Sequence, residues 1–268
     1  MVWLAIVLAV SAVSLTWFVL HGGAEAAVDV PIMDWVVAHR VDALTPVVKV
    51  ITHSGGTIAM WSAAILACAV LATRRQWPEL TLVAVTGAGS ALLIPLLKSV
   101  IDRERPPMAD RLVVVTSHSY PSGHSLGSAV VVGVIAAVVI AGLRRPGPKR
   151  AVAVAAATFV ALVGLSRVYL GVHWPTDVLA GWSIGLLWLT IMLTGYARYR
   201  RTLPPVQEDL PVSAAAAGRE RSTGTQRGAP VRRAAETGRR AHDHRNVRSD
   251  SGADTEPDSA GTQRSLPR

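Results

Sequence analysis

The chain has 268 residues, half of them hydrophobic and only 17% charged, with a mean hydropathy of +0.36. Its apolar residues fall in long blocks, which excludes an ordinary soluble domain and makes a polytopic membrane protein the first reading. The formal net charge of +9 is no nucleic-acid signal, because the basic residues gather in short loops and a C-terminal tail, and the single Cys68 excludes an intrachain disulfide.

Met1–Ala24 carries no Asp, Glu, Lys or Arg, and Val2–Leu20 is long enough to span a bilayer. A signal peptide is the rival reading, since Ala24-Glu25-Ala26 resembles a small-x-small cleavage site. The missing basic n-region and the length of the apolar run favour a retained span. Glu25–His53 mixes Asp29, Asp34, Arg40, Asp42 and Lys49 with apolar residues at helical spacing, and reads as an interfacial helix or re-entrant cap. Ser54–Thr73 is the second expected span and stops at Arg74-Arg75. Leu80–Leu97 is the third and stops at Lys98. A polar loop, Lys98–Pro121, precedes Ser125–Leu143, which ends at the basic turn Arg144–Arg150. Ala151–Leu165 and Val178–Ala197 complete six spans.

Orientation follows from the loops. Arg74, Arg75, Arg144, Arg145, Lys149, Arg150, Arg198, Arg200 and Arg201 fall on one side with only Glu79 against them, while the opposite loops mix both signs. The positive-inside rule puts both termini in the cytoplasm and the polar loops on the outer face of the cell membrane. From about Thr202 onward the chain has few large apolar residues and no sustained period, so 202–268 reads as a disordered cytoplasmic tail behind a six-helix domain, 1–201.

Three polar segments sit at the expected outer ends of spans. They are Lys98-Ser-Val-Ile-Asp-Arg-Glu-Arg105-Pro106, Pro121-Ser122-Gly123-His124, and Ser166-Arg167 followed by His173 and Asp177. Taken singly, each residue has a plain explanation. Lys98, Arg105 and Arg167 suit helix-end anchors, His173 beside Trp174 suits an interface, and Asp177 after Pro175 suits a helix start. Taken together, three cations facing one point repel unless an anion lies between them, and phosphate is the natural occupant. The head of the run Ser125–Leu143 adds unpaired backbone N–H groups, with Gly123 permitting close approach, Ser122 able to cap or donate, and His124 able to carry a proton.

These segments resemble the signature of the type 2 phosphatidic acid phosphatase (PAP2) superfamily, which shares its site with vanadium haloperoxidases. They match Lys-x6-Arg-Pro, Pro-Ser-Gly-His and Ser-Arg-x5-His-x3-Asp with no departure, and the resemblance covers roughly Leu80–Ala197. It implies an all-α transmembrane bundle whose His173 is a nucleophile, Asp177 its orienting partner, and His124 the acid and then base. Lys98, Arg105, Ser122, Gly123 and Arg167 would hold the phosphate oxygens. It implies no metal and no cofactor, and a lipid phosphate as substrate within the bilayer. Undecaprenyl or another polyprenyl diphosphate is favoured, with phosphatidate and phosphatidylglycerol phosphate next. The haloperoxidases it resembles are soluble, which six charge-free spans argue against; a non-catalytic lipid-phosphate binding or transport protein is the other alternative. His118 reads as a loop residue, and Asp102, Arg103, Glu104 and Arg111 as local salt-bridge or headgroup contacts.

Overall fold

A computed structural model of the protein describes residues 2–202. Apart from Thr202, the stretch read as a disordered tail lies outside the described residues. Among those described, all regular structure is helical. The elements are α1 (Val2–Leu20), α2 (Val30–Ala38, entered through a π-helical turn Glu25–Asp29), α3 (Thr45–Ser54), α4 (Thr57–Thr73), α5 (Trp77–Ile101), α6 (Gly123–Gly142), α7 (Pro146–Tyr169) and α8 (Pro175–Thr202).

The helices start and stop where local chemistry directs. Proline occupies the first turn of α2, α3, α5 and α7, and α8 opens on Pro175; its fixed φ suits that position and its missing N–H is not needed there. α6 is capped by Ser122, whose side chain accepts from the Ser125 N–H at 3.5 Å. Its valine-rich interior has modest helix propensity, but a segment in hydrocarbon must satisfy its own backbone, and only a helix does so alone. α5 ends as Asp102 turns into the left-handed region at φ 48°.

α1, α5, α6, α7 and α8 are each long and apolar enough to cross a bilayer. The expected span Ser54–Thr73 does not stand alone as a crossing. α4 has only 17 residues, and a crossing requires it together with Asp42–Ser54, to which it is bent by 46°. Lys49 and His53 hide that first half from a hydropathy reading, and Gly55-Gly56 sits at the break. α5 and α7 also extend beyond Leu80–Leu97 and Ala151–Leu165, because charged residues such as Lys98, Lys149, Arg150 and Arg167 belong to their end turns.

α8 is the hub, packed against α1, α5, α6 and α7. Helices in lipid gain little from hydrophobic burial against one another, so they pack through small residues that let backbones approach. Gly181 and Gly185 provide this on the α8 face toward α6. A Cβ at Gly181 would lie 2.8 Å from the Ser122 carbonyl oxygen, and one at Gly185 2.9 Å from that of Leu126. α1 joins the bundle through polar contacts: Ser11 Oγ lies 3.1 Å from Ser183 Oγ, and Thr16 Oγ1 lies 2.7 Å from the Tyr120 hydroxyl.

Gly181→Val therefore forces α6 and α8 apart at backbone atoms that have no rotamer to yield. The expected loss is about 1–3 kcal/mol, or roughly 2–10 °C in the Tm of detergent-purified protein. Gly195→Ala, where an added Cβ meets nothing within 4 Å, is the control and should leave the Tm unchanged. Equal Tm values for wild type and Gly181→Val would refute the tight α6–α8 contact.

Candidate active site

The last turn of α5, the head of α6 and the turn between α7 and α8 meet at one end of the bundle. The Ser122 N–H donates to the Asp177 carbonyl at 3.0 Å, tying the α6 cap to the first turn of α8. A Cβ at Gly123 would lie 3.2 Å from Ile94 and 3.9 Å from Lys98 Cε, so the α6 head sits directly against α5. His124 follows one residue on, its Nε2 lying 3.6 Å from where a Cβ on Gly56 would be.

His173 is 2% exposed and Asp177 fully buried. α7 ends, Gly171 turns the chain at φ 69°, and Pro175 restarts it as α8. This brings residues four apart together across a helix start. Asp177 accepts from the Trp174 N–H at 3.0 Å, the side-chain-to-cap bond of a capping box. Its Oδ2 lies 3.4 Å from His173 Nδ1, and the Ser119 hydroxyl donates to that same oxygen. On the other side of the ring, Arg105 donates to His173 Nε2 at 3.1 Å. One tautomer satisfies both edges: the proton sits on Nδ1 toward Asp177, and the Nε2 lone pair faces the cations. Burial, reinforced by Arg105, Arg167 and Lys98, holds the imidazole well below its ordinary pKa. At neutral pH His173 is uncharged, and its Nε2 lone pair accepts from Arg105.

The cations are fixed by backbone carbonyls and hydroxyls more than by carboxylates. Arg105 donates to the Ser117 carbonyl at 2.6 Å, to that of His118 at 3.2 Å, and to that of Val172. Lys98 Nζ also donates to the His118 carbonyl. Burial, with Arg111 nearby, lowers Arg105 to about 10 against the raising effect of Asp177, which leaves it charged at neutral pH. Arg167 is 4% exposed and donates from NH1 to Thr52 Oγ1 on α3 at 2.8 Å. Its buried Nε has no hydrogen-bond partner among the described residues.

Of the eight residues singled out from the sequence, Lys98 lies in the last turn of α5 and Arg105 in the loop after it, Ser122, Gly123 and His124 lie at the head of α6, Arg167 in the last turn of α7, and His173 and Asp177 at the entry to α8. Arg103, read as a local contact, is instead long-range: it bonds Asp177 at 2.7 Å and Asp29 at 2.6 Å. Asp29, Thr52 and Ser119 carried no motif that marked them. Their role shows only in the structure, where Asp29, Thr52 and Ser119 are buried. His118 does act as a loop residue, since it is its carbonyl that the cations use while its ring pairs with Asp102. Beside His124 a cavity of about 270 Å³ opens between α4, α5 and α6, lined by Met60, Trp61, Ile94, Gly123 and Gly127 among others.

A helical membrane bundle that holds a neutral histidine, its carboxylate partner and three cations at one end has the equipment of a membrane-embedded phosphatase. The PAP2 superfamily profile matches residues 78–201. The chain is 37% identical over 179 residues to phosphatidylglycerophosphatase B of Bacillus subtilis (strain 168), spanning 66% of this chain and 87% of that one. It is 42% identical over 77 residues to the undecaprenyl-diphosphatase of Sulfolobus acidocaldarius, spanning 29% of this chain and 32% of that one. The crystal structure of a transmembrane PAP2 type phosphatidylglycerolphosphate phosphatase from Bacillus subtilis superposes with a TM-score of 0.68 at 32% identity, over 74% of this chain and 98% of that one. The chain belongs to the PAP2 superfamily and is a multi-pass membrane phosphatase of that type.

Thr52 lies outside the matched region yet holds Arg167. Thr52→Val removes one acceptor from a buried guanidinium, and kcat/KM on lipid phosphate is expected to fall about tenfold, the size of one charge-assisted hydrogen bond. Steady-state phosphate release in detergent measures it; an unchanged kcat/KM would show that Arg167 does not depend on α3.

Proposed function

We propose that the protein hydrolyses a lipid phosphomonoester or diphosphate through a phosphohistidine at His173. Nε2 of the neutral imidazole attacks phosphorus, and the bond from phosphorus to the lipid oxygen breaks. Asp177 keeps the proton on Nδ1 and balances the positive charge that the ring acquires. Lys98, Arg105, Arg167, the Ser122 hydroxyl and the Gly123 N–H hold the non-bridging oxygens as charge builds on them. The orphaned Nε of Arg167 is one donor available for this. His124 protonates the departing lipid oxygen, then takes a proton from the water that attacks phosphohistidine, releasing inorganic phosphate and free His173. No step calls for a metal or a cofactor. The observation that carries this reading is the arrangement of His173, with Nδ1 toward Asp177 and Nε2 against Arg105.

The substrate's tail would lie along the apolar cavity beside His124, with its phosphate at headgroup depth. Phosphatidylglycerol phosphate stands first, because the relative named for that reaction aligns over 87% of its length, against 32% for the undecaprenyl-diphosphatase. A polyprenyl diphosphate, which the family resemblance favours, is the second reading, supported by the undecaprenyl-diphosphatase match; no residue of the cluster tells a diphosphate from a monoester. We place the site on the extracytoplasmic face and both termini in the cytoplasm, on the distribution of Arg and Lys among the loops. We also propose a phosphatase domain at 1–201 followed by a tail at 202–268.

The test is phosphate release from phosphatidylglycerol phosphate, phosphatidate and undecaprenyl diphosphate with EDTA present, comparing wild type with His173→Ala. Wild type should turn over at least one lipid, and His173→Ala should lose about a thousandfold or more in kcat. Equal turnover by the variant sinks the mechanism. Lipid binding without turnover by wild type points to the non-catalytic alternative.

A further inference from the structure

Behind His173 and Asp177 lies a second buried layer that the motifs do not include. Arg103 extends one nitrogen to Asp177 Oδ1 at 2.7 Å and the other to Asp29 Oδ2 at 2.6 Å. Asp29 and Asp177 are fully buried, and the Arg103 side chain is 10% exposed. Thr176, at the start of α8, closes the ring. Its N–H donates to Asp29 Oδ1 at 2.9 Å, its hydroxyl to Asp29 Oδ2 at 2.6 Å, and it receives Arg103 at 2.8 Å. The guanidinium also lies over the Trp174 ring, 5.7 Å from its centroid. Its backbone carbonyl takes the Ser119 N–H at 2.8 Å, and Ser119 in turn donates to Asp177. Thus the turn before α2, the α5–α6 loop and the start of α8 share one closed network.

Three buried charges are expensive to desolvate, and an apolar trio would be as stable or more so. Their arrangement has a consequence for charge. Without Asp29, the Asp177 carboxylate would be matched one-to-one by Arg103 and would have little charge left for His173. With Asp29, two carboxylates share one guanidinium and the set carries a net charge of −1. That charge faces a histidine otherwise surrounded by cations: Arg105 from the α5–α6 loop, Arg167 from α7 and Lys98 from α5, with His124 on α6 and the Ser119 hydroxyl as the remaining neighbours.

We propose that Asp29 is a positioning residue of this enzyme: it draws Arg103 partly off Asp177, so that Asp177 is left able to hold His173 and to offset the charge of the phosphorylated ring. This rests on His173 being the nucleophile. Asp29 lies on the turn before α2, outside the region 78–201 that the superfamily profile matches, so the element that completes the nucleophile is one that the shared motifs do not contain.

The experiment is a double-mutant cycle of Asp29→Asn and Arg103→Gln on the full-length protein in detergent, read by kcat, KM, Tm and the pH dependence of kcat/KM on the best lipid substrate. Counted with both carboxylates ionised, the formal charge of the set is −1 in wild type, 0 in Asp29→Asn, −2 in Arg103→Gln and −1 in the double variant. More negative charge beside His173 favours its protonated, unreactive form. The acid limb should therefore move to lower pH in Asp29→Asn, to higher pH in Arg103→Gln, and return near the wild-type position in the double variant. Substrate ionisation is common to all four proteins and drops out. Each single variant should lose roughly tenfold or more in kcat with KM within about threefold, and the double should be no worse than Arg103→Gln. Should Asp29→Asn fail to fold, Arg103→Gln against the double variant still reads the opposing limb shifts. Coincident acid limbs, or losses that add, overturn the proposal. His173→Ala runs alongside: activity surviving there rejects the phosphohistidine mechanism itself, whereas a dead His173→Ala beside a wild-type Asp29→Asn rejects only the role of Asp29.

Discussion

Lys98, Arg105 and Arg167 are like charges held around one buried histidine, and their mutual repulsion is what the neighbouring structure must withstand. At short separation in a medium less polar than water such repulsion amounts to several kcal/mol. It is not met by pairing each cation with a carboxylate, which would cancel the positive field that a phosphate needs. The charges are instead held by neutral acceptors: the carbonyls of Ser117, His118 and Val172, and the hydroxyl of Thr52. These groups fix the side chains in place and leave their charge unspent. The carboxylates are kept behind His173, on the far edge of its ring, where they act on the histidine's proton and not on the anion.

Such an arrangement needs a frame whose parts do not drift, and the membrane supplies part of it. Backbone groups in lipid are all satisfied within their own helices, so the ends of α5, α6, α7 and α8 are rigid platforms from which the polar turns project. The close passage of Gly181 and Gly185 against the start of α6 sets where the Asp177 end of α8 stands relative to Ser122 and Gly123. The Ser122 N–H to Asp177 carbonyl bond then locks the two helix heads together. Each head contributes differently, with α6 offering backbone donors and α8 a carboxylate in its first turn.

Much of this could be read from the chain, and the reason is geometric. The motif residues lie at helix ends, where a charged or small polar residue interrupts a long apolar run and is conspicuous. The spacing from His173 to Asp177 is one helical turn, which foretells their contact. The sequence says less where tertiary burial decides. Asp29 looks like any acidic residue in an amphipathic stretch, and nothing in its neighbours foretells that Arg103, more than seventy residues on, will reach it. Thr52 is likewise an ordinary residue of a short helix until α3 lies against α7. The bent α3–α4 pair escaped a hydropathy reading because Lys49 and His53 interrupt its first half, and the ends of α5 and α7 because apolar windows stop at the first charge while helices do not.

Asp29, Thr52 and Gly56 have something else in common: all three lie in the first 77 residues, ahead of the region that matches the superfamily profile, and each stands behind a different motif residue. Asp29 stands behind Asp177 through Arg103, Thr52 holds Arg167, and Gly56 abuts His124. The cluster they support would engage only phosphate oxygens, and those are the same on every lipid phosphate. Relatives named for a phosphatidylglycerophosphate and for an undecaprenyl diphosphate both align with this chain. Discrimination among lipids must therefore come from what lies beyond the phosphate. The cavity beside His124 is walled partly by α4 and partly by α5 and α6. Its α4 wall follows directly from the Gly55-Gly56 break, so the segment that backs His124 also shapes this cavity. On the proposed function, a change of substrate can then be made in the N-terminal half, by moving α4 against α5, without displacing His173, Asp177 or Arg105.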